Sequence, residues 1–216
     1  MGHRLLPFRQ YDENDVVNLY AVDLAGLTVD LKLMQPNDDD INADGVLVSV
    51  SQGAITDDVV SVTEDSRFQA TFASPVGRNP YPTNPLKVLP AASGDAAIGV
   101  TLRHTLAVDE NGESLLFNPV KKDEIQAVLS GQTVPVLTKG IVTFTADAVD
   151  GVHLASKMTP GNVLLAAGDG KVQGAETTAV NRLANTVGTI LATGHRESKT
   201  GTDTWAGHYY ICKIDC

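Results

Sequence analysis

The sequence predicts a mainly β protein made of short-stranded, sandwich- or barrel-like modules, and three observations carry that expectation. Strand-like runs recur in the same order. Asp44-Gly45-Val46-Leu47-Val48-Ser49-Val50 is answered by Pro160-Gly161-Asn162-Val163-Leu164-Leu165-Ala166, and Ala97-Ile98-Gly99-Val100-Thr101-Leu102 by Thr186-Val187-Gly188-Thr189-Ile190-Leu191. Each copy closes on a further run of strand character, Thr133–Leu137 and His208–Ile214. Second, Asn111-Gly112 and Asp169-Gly170 are residue pairs that readily adopt the positive φ angles of a type I′ hairpin turn. Third, 19 glycines and 10 prolines punctuate the chain, whereas helical patterning is confined to Lys122–Leu129, two turns ending at Gly131. The repeat predicts a duplicated β-module with an extended N-terminal arm.

Taken in order, residues 1–25 form the arm and first strand. Arg4 and Arg9 flank Leu5, Leu6 and Phe8, the polar Tyr11–Asp15 follows, and Val16–Val22 has strand character. Three large apolar residues behind a polar spacer read either as a frayed tail before an ordinary strand or as a segment that docks on a neighbour. On the second reading Arg4, Leu5, Leu6, Phe8 and Arg9 bind a partner, and removing residues 1–10 leaves the β body folded. Residues 26–144 form the first module. Leu27–Leu33 alternates apolar and polar faces, the period-two mark of a half-buried strand. Residues 74–90 hold five of the ten prolines and read as a long ordered loop, because proline lacks the backbone donor of a ladder. Leu106–Glu110 and Glu113–Phe117 flank Asn111-Gly112 as a hairpin. Residues 145–216 form a compact second module, with a hairpin across Asp169-Gly170.

Composition bounds the function. A net charge of −10 with dispersed basic residues argues against nucleic acid, which is held by clustered Lys and Arg. No run approaches the length of a membrane span and no signal peptide is expected. Cys212 and Cys216 are about 13 Å apart along an extended strand, beyond disulfide reach, so two free thiols are expected. Asp40-Ile41-Asn42-Ala43-Asp44-Gly45 matches half a calcium loop, but Ser51 stands where the bidentate glutamate belongs. His208, Cys212 and Cys216 have the spacing of zinc ligands on a helix, yet the intervening residues favour a strand. His195–Lys199 reads as a solvated hairpin tip. His104 and His153 have no serine or cysteine partner that sequence assigns, and no nucleophile elbow, phosphate loop or dinucleotide fingerprint occurs. No enzyme, cofactor or metal is expected.

In the second copy, Gly161-Asn162-Val163-Leu164-Leu165, the Asp169-Gly170 turn with Lys171-Val172, and Asn185-Thr186-Val187-Gly188-Thr189-Ile190-Leu191 follow one another. This order resembles the head-decoration, or capsid cement, proteins of tailed bacteriophages, over roughly residues 141–214 and more loosely over residues 45–144. Arg4-Leu5-Leu6-Pro7-Phe8-Arg9 is similar to the arm of a phage structural protein. The resemblance implies a structural virion protein on the outer capsid surface. It would be made in the bacterial cytoplasm, partner the major capsid protein, and form a homo-oligomer with a trimer favoured. The alternative is a phage or bacterial surface or fibre-type module that binds carbohydrate or a host surface.

Overall fold

The computed structural model describes residues 4–22, 44–50, 87–106, 109, 111, 113, 115, 117–129, 132–151, 157–176, 185–197 and 206–216. The fold is mainly β, with two six-stranded sheets and a two-stranded one. The first large sheet contains β2 (Val16–Val17), β3 (Ala21–Val22), β4 (Leu47–Val50), β5 (Lys87–Pro90), β6 (Ala97–Thr101) and β9 (Val136–Leu137), in the order β2-β9-β6-β4-β5-β3. The second contains β1 (Leu5–Gln10), β10 (Lys139–Thr145), β11 (Val163–Ala166), β12 (Val172–Ala175), β13 (Thr186–Arg196) and β14 (Gly207–Asp215), in the order β1-β10-β14-β13-β11-β12.

The two sheets repeat each other's pairing. β4 meets β6 through Leu47↔Val100 and Val48↔Gly99, then slips past Ile98 to Ser49↔Ala97. β11 meets β13 through Val163↔Thr189 and Leu164↔Gly188, then slips past Val187 to Leu165↔Thr186. Such a slip is a bulge that bends and twists the strand, and it falls at the same place in each sheet. The Gly45 N–H donates to the Thr101 carbonyl and the Gly161 N–H to the Ile190 carbonyl, at 2.7 and 2.8 Å. An added Cβ would strike the Leu137 carbonyl oxygen at Gly99 and the Lys213 carbonyl oxygen at Gly188, so both glycines are required by close backbone approach. Residues 16–22 run antiparallel to β9 and then parallel to β5 (Val22↔Val88). Residues 141–149 likewise run antiparallel to β14 and then parallel to β12 (Val149↔Val172). Each sheet thus curls until one segment touches both of its sides.

Alternation assigns the faces. In the first sheet Val46, Val48, Val88, Val134 and Val136 form one buried cluster. The opposite face, Leu47, Val100 and Leu137, joins a different cluster with Leu164, Val172, Val187, Ile190, Tyr210, Cys212 and Ile214 of the second sheet. By register, the second group matches the first sheet's Val48, Val88, Ile98, Thr101, Val134, Val136 and Thr138. The outer face of module one therefore packs on the inner face of module two, and this is the main core.

Several expectations change. β10, placed by sequence at the end of the first copy, pairs with β14 in the second sheet; its Val142 and Phe144 are fully buried there. Residues 87–90, read as loop, are β5, with Pro90 at the strand end where its missing donor is tolerated. The helix is α1, Pro119–Glu124, and starts earlier than expected because Asn118 caps it and Pro119 occupies its first turn. It ends where Gln126 takes φ 52°. The Gln126 N–H then reaches the Asp123 carbonyl and the Ala127 N–H the Lys122 carbonyl, a Schellman closure made without glycine. Val128–Leu129 becomes β8 instead, pairing in parallel with β7 (Thr105–Leu106). The turn near Asn111 is held by the Asp109 carboxylate, which accepts the Asn111 and Glu113 amides at 2.9 and 2.8 Å. Strand β7 therefore finds its partner in β8, and Leu115 is buried with Leu106 and Leu129. The second hairpin forms as expected, with Asp169 at φ 57° and Gly170 at φ 65° between β11 and β12. The predicted strand Leu27–Leu33, residues 74–86 of the proline-rich stretch, His3, His153 and Trp205 lie outside the described residues.

Candidate functional site

A buried polar cluster joins the arm to the module junction. β1 adds to the free side of β10, with Leu5 opposite Phe144 and Arg9 opposite Val142. This pairing carries Arg4 inward until it is only 1% exposed. The Arg4 backbone N–H donates to Asp44 Oδ1 at 3.2 Å, and its guanidinium reaches the carbonyls of Asp169 and Gly170, both at 3.5 Å. Arg9 Nη2 donates to Asp44 Oδ2 at 3.2 Å, and His104 Nε2 stands 3.9 Å from Asp44 Oδ1. Asp44 is itself buried. A buried carboxylate is stable only when paired and hydrogen-bonded, and here the arm supplies a cation, Arg9, and a backbone donor, the Arg4 N–H. The cluster is a clasp between residues far apart in sequence, and its chemistry is charge neutralisation. Asp44, which ends the half calcium loop, accepts from the Arg4 backbone N–H and from Arg9; residues 40–43 of that loop lie outside the described residues.

The five arm residues therefore separate. Arg4, Leu5 and Leu6 are buried within the chain's own fold, Arg9 is half-buried on Asp44, and Phe8 is 60% exposed. Of Leu5, Leu6 and Phe8, Phe8 is the one presented to solvent. Proline at position 7 and the irregular register between Leu5 and Arg9 blunt this edge strand against indiscriminate pairing. Phe117 and Val120, at the start of α1, are 83% and 68% exposed and form a second apolar prominence.

Beside the arm lies an open groove of about 560 Å³. It is lined by Val16, Leu102, Val128 and Pro135 together with Arg9, Tyr11, Asn18, Arg103 and Gln126. Apolar and polar side chains converging on one cleft are what a small ligand needs. Sequence reading missed it, because it is assembled from four separated segments.

Cys212 and Cys216 are free thiols. Burial pushes the Cys212 thiol up to about 12, so it stays protonated and unreactive. Cys212 points into the core while His208 lies on the exposed part of the same strand, and the zinc triplet is not assembled. Among the described residues no three His, Cys, Asp or Glu side chains converge as a metal site, and no helix is long and apolar enough to cross a membrane. What the structure does bring together is His195 and His208, paired across β13 and β14. The tip of that hairpin, residues 198–205, lies outside the described residues. Comparison of the chain with protein-family models, curated proteins and solved structures returns no match.

Proposed function

We propose that this chain is a structural virion protein that binds the outer surface of a phage capsid and stabilises contacts between major capsid subunits. The observation that carries the reading is where the resembling residues fall. Gly161–Leu165 enters β11, Asp169-Gly170 makes its hairpin turn, and Val187-Gly188 makes the bulge that sets the register of β13. Their counterparts around Gly45 and Gly99 do the same in the first sheet. These short motifs are thus the residues on which the module geometry depends, which supports a kinship of architecture with cement proteins. Two modules sharing one core make a stiff body, and stiffness suits a protein that holds neighbouring subunits in fixed positions. The acidic balance suits the outside of a shell better than a lumen facing DNA.

On this reading attachment uses Phe8 and the Phe117–Val120 prominence, multiplied over many sites or through a trimer. The buried Arg4, Leu5 and Leu6 hold the arm in shape. Purified protein mixed with expanded capsids should co-sediment with them, and Phe8→Ser should lower occupancy at limiting protein while leaving the melting temperature unchanged. Failure to sediment with capsids, with retention on a polysaccharide matrix, would favour the second reading. That reading is a carbohydrate- or host-surface-binding module, and the groove around Tyr11, Asn18 and Arg103 is what favours it.

A further inference from the structure

We infer that His195 and His208 form a binding site for a divalent transition-metal ion of the zinc class, at the outer end of the β13–β14 hairpin. The two residues face each other directly in the antiparallel register, between Gly194↔Tyr209 and Arg196↔Gly207. Directly opposed residues hold their Cβ atoms about 5 Å apart, the span that two imidazoles need to reach one ion. Their ring centroids stand 4.8 Å apart with planes inclined at 66°. Zinc–nitrogen bonds of about 2.0–2.1 Å at a tetrahedral angle place two ligating imidazole centroids roughly 5 Å apart. The observed centroid spacing is close to that requirement.

The surroundings keep the pair in place and open. The Tyr209 ring lies where a side chain at Gly194 would go, which holds the strands close immediately before the histidines. Both imidazoles are exposed, so an ion can enter and complete its shell with water. The site is distinct from the arm clasp and stands whatever the partner of the protein proves to be.

The test uses the full chain and ZnCl₂ alone, with calorimetric titration and histidine ring resonances read by NMR. The expected result is one ion per chain at pH 7.5, with the resonances of His195 and His208 shifting together. His195→Gln and His208→Gln should each weaken binding at least about tenfold, with unchanged far-UV circular dichroism. No binding to the wild-type chain, or wild-type affinity in both variants, overturns the proposal.

Discussion

Module one and module two share a register but not an environment. At matching positions of the outer face, module one has Leu47, Val100 and Leu137, all fully buried, whereas module two has Val163, Thr189 and Lys213. Val163 is still buried, Thr189 is half-buried and Lys213 is exposed. The difference follows from stacking the modules outer face to inner face. Module one lends its outer face to the shared core, and module two's outer face is the last surface of the stack. The backbone tolerates either use, because a curled antiparallel sheet needs apolar residues only on the faces that are covered. Side-chain choice, and not strand geometry, decides where the stack stops.

Exchanging residues between the modules is the most direct way to break this comparison. Leu137→Lys places a charge in the shared core and should cost about 5 kcal/mol or more, enough to leave little folded protein by urea titration. A mild effect there would mean that the outer face of module one is not sealed. Next comes the clasp. Asp44→Ala removes the carboxylate from the half-buried Arg9 guanidinium, the buried His104 ring and the buried Arg4 backbone N–H, at a cost of about 3–5 kcal/mol. Thermal unfolding should register it, and a double mutant with Arg9→Met should recover part of the loss. Gly99→Ala and Gly188→Ala push a methyl group against equivalent carbonyls and should each cost about 2–3 kcal/mol. Unequal losses would show that the two bulges are less alike than their registers indicate.

Cys212 sharpens the comparison further, since its counterpart Val136 has no ionisable group. The folded state holds the Cys212 thiol up to about 12 from an ordinary value of 9.0. The stabilisation is therefore complete below pH 9 and is lost as pH rises from 9 toward 12. Cys212→Val should flatten the alkaline fall in melting temperature, and native Cys212 should resist alkylation at pH 8. The smallest effect belongs to Lys213→Leu, which moves module one's residue onto an uncovered face and should change stability by no more than about 0.5 kcal/mol.

The module repeat was legible in the sequence because its marks are local. A glycine at the bulge and a turn before a Val-Leu strand are set by neighbouring residues. The second hairpin was legible for the same reason. Module boundaries were less so: β10 reads like any closing strand, and only its register with β14 shows which sheet it completes. The helix shifted because Asn118-Pro119 is a stronger start signal than the charged run after it. The arm was misleading, since Leu5 and Leu6 have the same appearance whether they dock on a neighbour or on their own sheet. The clasp was invisible because Asp44 finds its partners at positions 4, 9 and 104, all distant in sequence. The bulge at Leu191 shifts the register only beyond the His195–His208 pair, so counting outward from the hairpin tip reaches their facing undisturbed.

The position of β1 also sets a timetable for folding. Leu5 pairs with Phe144, and the Arg4 guanidinium reaches carbonyls 165 and 166 residues away. Pairings this distant along a chain are slow to form, because the entropy of closing the loop is lost before contacts compensate for it. On a ribosome, β1 emerges well before the strands and turn that it pairs with, and must wait for them. Until β10 and the β11–β12 turn have been synthesised, Leu5, Leu6 and Phe8 form an apolar segment with no sheet to join. The proline at position 7 is then valuable for a second reason: it interrupts the waiting segment's capacity to pair with the β1 of another nascent chain.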